Sequence, residues 1–254
     1  MHIAMARYFL TFSYDGTAYH GWQVQPNADS VQQQLNRALS VLLQHEVGTV
    51  GAGRTDTGVH ASMMVAHFDA EIDDTSRFCF KLNRLLPPDI AVQSVRQVRP
   101  DAHARFDALS RTYHYFVYTG KRPFLRHYAN QLFFEPDYER MNRAAEFLLH
   151  TTDFTSFSKL HTDTKTNNCR VTKACWIPEP GEGWRFEITA DRFLRNMVRA
   201  VVGTLLWVGQ GRMSLDDFQR VIDCRNRCAA GDSVAARALF LVDIVYPRDV
   251  YLSL

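Results

Sequence analysis

The chain is poor in lysine. Of its 29 basic residues only five are lysine (Lys81, Lys121, Lys159, Lys165 and Lys173), which leaves 24 arginines. Arginine's planar fork suits phosphate contact and base stacking, although a surface of arginine salt bridges has the same composition. The net charge is only +2, so bulk charge does not mark a nucleic-acid binder. No apolar run approaches the ~20 residues that cross a bilayer, and no membrane partner is expected. The five cysteines (Cys79, Cys169, Cys175, Cys224 and Cys228) are odd in number and scattered, which argues against a secreted disulfide framework. Cys224 and Cys228 stand as C-x3-C with no second pair at a zinc spacing, so no metal site is expected. The segment Met1 to Tyr14 lacks a basic start and a cleavage site, and a cytoplasmic location is expected. A Walker loop, a dinucleotide fingerprint after a strand and a helical HExxH are also missing, and no cofactor is expected. What remains is an ordinary globular composition, 46% hydrophobic and 22% charged, over 254 residues, enough for one large domain or two modest ones.

Hydrophobic spacing predicts the elements. Arg7 to Tyr14 reads as a strand ended by Asp15-Gly16. Ser30 can cap a helix to about His45 with Val31, Leu35 and Leu39 on its apolar face. Short strands at Val47–Gly51 and Ser62–Asp69 flank a glycine-rich loop. Thr75 or Ser76 opens a helix through Leu86 that Pro87-Pro88 stops, and Ile90 to Val98 closes the unit, giving β-α-β-β-α-β. A similar order recurs: a strand at Arg111–Thr119, a helix at Tyr138–Leu149, strands at Lys173–Ile177 and Trp184–Ala190, helices at Phe193–Val208 and from Ser214, and a strand at Leu239–Tyr246. The expected fold is α+β, pseudo-duplicated, with a ligand cleft between the halves. No residue-level repeat accompanies this order. The long connection from Asp153 to Arg170 reads either as a functional loop or as a tethered surface excursion.

The stretch with the clearest chemistry is Gly51 to His60, GAGRTDTGVH, which sets Asp56 among three glycines. Residues i and i+2 of an extended segment share a face, so Arg54 and Asp56 can lie side by side, and a guanidinium favours the ionised carboxylate. Read alone, the decamer is either a reactive carboxylate in a concavity or a turn whose aspartate caps the backbone. Tyr113, in the aromatic strand RTYHY (111–115), offers a ring to stack on a base and a hydroxyl to relay a proton, and equally reads as core. Arg192, Arg195 and Arg199, at i, i+3 and i+7 of the predicted helix, form a stripe suited to phosphates, to one inward carboxylate or to solvent. The segment Tyr14 to Gln23 reads as a hairpin or a lid.

Together YDGTAYHGWQ (14–23), GAGRTDTGVHA (51–61), ARF (104–106) with RTYHY (111–115), FTSF (154–157), FLRNMVR (193–199) and LFLVDI (239–244) follow the order found in the TruA-type tRNA pseudouridine synthases. The chain resembles that family over nearly its whole length. The resemblance implies that Asp56 is the catalytic aspartate, that Tyr113 lies near the uracil and that Arg199 is the cation holding Asp56 ionised. Arg54 is then assigned to RNA contact or to flipping the target nucleotide. It also implies two RRM-like βαββαβ halves, 1–104 and 105–254, around a central cleft in a pseudouridine synthase fold. The family acts as a homodimer on uridines 38, 39 and 40 of the tRNA anticodon stem-loop, without cofactor or metal. Four positions depart from the family pattern: Thr57 replaces a usual alanine, Ala61 a common glycine, Asn196 a frequent histidine and Ala238 a frequent glycine. None removes a group that the chemistry needs.

Two other classes remain as comparisons. One is a non-catalytic module of paired RRM-like halves, although neither aromatic strand fits the RNP1 pattern. The other is a metal-dependent hydrolase using Asp56, His60, His67 and Asp69, although no helical ligand spacing supports it.

Overall fold

The apolar strand that opens the sequence becomes the middle of an antiparallel sheet. The computed structural model describes residues 5–159, 165–181 and 183–252. Its elements run β1 (Ala6–Tyr14), α1 (Val31–Leu43), β2 (Val50–Gly51), β3 (His60–Ala70), α2 (Thr75–Leu85) and β4 (Ile90–Gln97). They continue with β5 (Ser110–Thr119), β6 (Asn130–Leu132), α3 (Tyr138–Glu146), β7 (Val171–Glu179), β8 (Gly183–Ala190), α4 (Met197–Gly209), α5 (Leu215–Asp223) and β9 (Leu239–Val245). The class is α+β. The chain divides into two compact units, Met1–Leu109 with Leu241–Leu254, and Ser110–Phe240. Among the described residues no helix is long and apolar enough to cross a membrane.

In the first unit the strand order is β4-β1-β3-β9, and β2 also pairs with β3. Leu10 of β1 stands opposite Ala66 on one side and Val95 on the other, both antiparallel. Alternation then separates two buried faces. Tyr8 meets Phe68, which stacks on Phe78 of α2 at 6.1 Å, while Phe9 on the reverse face meets Tyr246 at 4.9 Å. Each such side chain, fully withdrawn from water, contributes about 1.5–3 kcal/mol. Ser30 caps α1 by accepting the Gln33 N–H, and Val31, Leu35 and Leu39 are buried at helical spacing. Helix α2 opens at Thr75 as predicted, behind Asp74 as its cap; the Asp74 carboxylate accepts the Arg77 N–H, and an anion there also faces the helix dipole.

In the second unit β8 lies between β5 and β7, and β6 pairs with β5 in parallel. The sequence did not announce β6, whose three residues are too short to show a period. The Asn142 side chain of α3 clips the β7 backbone, accepting from Trp176 N (2.6 Å) and donating to Trp176 O (3.2 Å). Phe154 and Phe157 of FTSF are fully buried. Ser156 Oγ donates to Val221 O (2.5 Å) and accepts from Asn226 N (2.9 Å). The start of the 153–170 connection is therefore core, and residues 160–164 of it lie outside the described residues.

The helix predicted from Phe193 begins only at Met197. Asn196 sits at φ 66°, a left-handed conformation that asparagine tolerates, and its side chain donates to Ser233 Oγ. Arg192 and Arg195 consequently precede α4, and the three arginines do not form one helical stripe. Apolar periodicity ran through residues 193–196, but the bond from Asn196 to Ser233, 37 residues away in sequence, won.

Candidate active site

The Asp56 loop is clamped from behind by the Tyr14–Gln23 segment, so that segment serves as a scaffold rather than as a separate hairpin or lid. Thr55, next to Asp56, is buried and gripped at two atoms. Its carbonyl accepts the Trp22 N–H (3.3 Å) and its Oγ1 pairs with Tyr14 Oη (2.8 Å). A Cβ on Gly21 would stand 2.3 Å from that same carbonyl, and Gly21 has φ +90°, so only glycine fits there. The loop's entry is fixed by Ala52 N–H on Val65 O (2.8 Å). Its exit is fixed by Gly58 N–H on Tyr19 O (3.3 Å), while Val59 N–H closes the turn onto Asp56 O (3.1 Å). The Trp22 indole packs directly on Gly51, at the spot a Cβ would fill, and stacks toward Phe12 at 5.5 Å. Thr55 is buried, while Asp56 beside it is half-buried and Arg54 is exposed.

The other predicted site residues belong to the second unit. Tyr113 lies on β5 opposite Ile188, half-buried, with its ring edge-on to Phe193 at 5.0 Å. Tyr115, two residues on and on the same face, is wholly buried, and burial pushes its hydroxyl well above the usual range. Arg199, in the first turn of α4, is half-buried and bound reciprocally to one residue. Its Nε donates to Val234 O (2.7 Å), and Val234 N–H donates to Arg199 O (3.3 Å). That segment can approach α4 because Gly203 has no side chain; a Cβ there would lie 1.8 Å from Asp232 O. Nε is thereby spent on the backbone, which fixes the direction of the guanidinium. Arg192 is half-buried, its N–H on Asp191 Oδ1 (2.7 Å), and Arg195 is exposed.

The residues of the hydrolase alternative have separate engagements. His60 Nδ1 lies 3.0 Å from Gly16 N and from Asp15 Oδ1. Asp69 takes a two-pronged bond from Arg7 (2.8 and 2.9 Å), which holds its carboxyl below the usual range. His67 Nδ1 accepts the Ala104 N–H (3.1 Å), while Tyr246 Oη donates to Ala104 O (2.5 Å). Among the described residues no group of three or more His, Cys, Asp or Glu is placed to hold a metal ion. These bonds anchor the ARF turn and leave Phe106 75% exposed.

Burial, with help from His103 and Arg7, pushes His67 down to about 4 from its ordinary 6.5. The unfolded chain therefore takes up this proton first, and stability is full above about pH 6.5 and falls as pH drops toward 4. The loss attributable to this residue is expected to be roughly 2 kcal/mol, at 1.36 kcal/mol per unit with some solvent access. Urea titrations at about pH 7.5 and about pH 4.5 measure it. His67→Asn, which retains an acceptor for Ala104 but cannot titrate, should flatten the difference; an unchanged pH dependence would refute the assignment.

Fold and loop together define an α+β protein with a carboxylate, Asp56, on a clamped glycine-rich turn. A family model described as tRNA pseudouridine synthase matches residues 10–107 and 144–247, and the chain belongs to that family. It is 58% identical over 250 residues to the tRNA pseudouridine synthase A of Bacteroides thetaiotaomicron, covering 97% of this chain and 93% of the relative. It is 53% identical over 252 residues to that of Porphyromonas gingivalis, covering 98% and 100%. It is 39% identical over 241 residues to that of Bacillus subtilis, covering 93% and 97%. The matched stretches contain Arg54, Asp56, Arg192, Arg195 and Arg199, whereas Tyr113 falls in the interval between them.

Proposed function

We propose that the chain isomerises uridine to pseudouridine at positions 38, 39 and 40 of the tRNA anticodon stem-loop. In this reading it works as a cytoplasmic homodimer, without cofactor or metal, and is built of two RRM-like halves. Family membership supports an isomerase acting on tRNA. The observation that supports carrying the reading to a residue is the clamp on Thr55, which holds the backbone next to the half-buried Asp56.

The reaction breaks the C1′–N1 bond, turns the base and joins C1′ to C5; a proton leaves C5 and one is gained at N1. Atoms and electrons balance without an oxidant or a phosphoryl donor. Asp56 serves either by attack on C1′ or by removal of a sugar proton. Arg199, its direction fixed by Val234, keeps Asp56 ionised. Tyr113 stacks on the freed uracil or moves the C5 proton. Exposed Arg54 contacts the RNA or helps extrude the nucleotide from its stacked position. Arg192 and Arg195 meet phosphates.

The direct test is base-resolved pseudouridine mapping in an unmodified tRNA incubated with the purified protein. Product at 38, 39 and 40 is expected; product elsewhere, or none, overturns the reading. Arg199→Ala should lower the turnover rate far more than tRNA affinity, and an equal loss in both would make Arg199 a binding residue. For Arg192→Ala and Arg195→Ala the pattern is reversed, with the log–log salt slope shallower by about 0.7–0.9 per lost phosphate contact. Unchanged affinity would return both to a solvated surface.

A further inference from the structure

The segment joining β5 to β6 has a chemistry that the site above does not use. From Ala108 to Phe134 the sequence has no aspartate or glutamate, and residues 121–128 read KRPFLRHY. Phe124 is 94% exposed and Phe133 89%, the two highest values among the large hydrophobic side chains described. Lys121, Arg122, Arg126 and His127 are exposed around Phe124 in sequence. The register of β6 on β5, Thr119 opposite Leu132, brings Phe133 level with Gly120 at the loop's start. This stretch also lies between the two matched by the family model.

The segment is built rather than loose. Leu125 N–H donates to Arg122 O (3.1 Å), and the Tyr128 and Ala129 N–H groups both donate to Leu125 O (3.0 and 2.9 Å). Arg122 Nη1 donates to Gly181 O in the β7–β8 turn (2.8 Å), Arg237 Nε to Arg126 O (3.0 Å) and Gln131 Nε2 to Gly120 O (2.7 Å). A phenyl ring is thus held out in water, flanked by cations and with no nearby acid along the chain. Aromatic faces stack on unpaired bases of any identity, and cations beside them track the phosphates. A protein partner would need acidic groups to meet this rim, whereas RNA offers negative charge and exposed base faces together.

We propose that the 120–128 segment is a further RNA-contact surface, in which Phe124 stacks on an unpaired base of the tRNA and Lys121 and Arg126 meet its phosphates. The inference rests on the tRNA reading above. The test measures the affinity of an unmodified tRNA transcript for the full-length protein across a salt series, with melting and sedimentation of each variant. Phe124→Ala should weaken binding about tenfold, the worth of one base–aromatic stack. Phe124→Leu should weaken it similarly, and Phe124→Trp should keep it. Lys121→Gln should make the salt slope shallower by about 0.7–0.9. Unchanged affinity in Phe124→Ala, with wild-type tRNA modification intact, overturns the proposal alone. Loss of affinity that accompanies a shift to smaller oligomers also overturns it and assigns the surface to self-association. A wild-type protein that leaves tRNA unmodified brings down the functional reading and this proposal together.

Discussion

Asp56→Asn is expected to reduce single-turnover pseudouridine formation by at least about a thousandfold while leaving tRNA binding in place. The substitution keeps the size and planarity of the side chain and removes only its charge and basicity. The loop should survive it, because what holds the turn is backbone: Val59 N–H on Asp56 O, Trp22 N–H on Thr55 O and Gly58 N–H on Tyr19 O. A variant that binds tRNA, melts like the wild type and does not convert uridine places the carboxylate in the chemical step. Full activity in Asp56→Asn would sink the catalytic assignment and leave a protein that only binds RNA.

The second large effect comes from a residue with no functional group. Gly21→Ala puts a methyl 2.3 Å from Thr55 O at a backbone position with φ +90°. Strain of this kind costs about 1–3 kcal/mol, and relieving it moves the carbonyl that Trp22 holds. Asp56, the next residue, moves with it. Since a misplacement of ~1 Å can cost a factor of ~100, single-turnover activity should fall by about that much in protein that is still folded. Tyr14→Phe supplies the graded control: it removes the 2.8 Å contact to Thr55 Oγ1, worth about 1 kcal/mol, and should lower the rate less. If Gly21→Ala lowers the melting temperature but leaves the rate of the folded fraction untouched, the clamp supports stability and not catalysis.

Much of the fold was legible because its signals are local. Ser30 caps α1 and Arg7 to Tyr14 lies in β1 as read, since a cap and an apolar, aromatic run depend only on neighbouring residues. The start of α2 at Thr75 was legible for the same reason, with Asp74, a preferred cap residue, directly before it. The start of α4 was misread for a different reason: Ser233, 37 residues downstream, draws Asn196 into a left-handed turn that no helical period reports. Three arginines read as one stripe are consequently split between a loop and a helix. Strand β6 is short and is stabilised by its parallel partner, so it has almost no signature of its own.

For the site, the sequence by itself determined which groups are available: a carboxylate among glycines, two tyrosines on one strand face and a surplus of guanidinium groups. Motif order then pointed to the family. The tertiary structure alone decided how Asp56 is held, because Tyr14 and Thr55 meet across 41 residues and the fit of Gly21 to Thr55 is a matter of backbone contact. It also decided that the chain from Leu241 onward belongs with the first unit. Local chemistry can be read along a chain, but these arrangements depend on which distant backbone segments come within hydrogen-bonding reach.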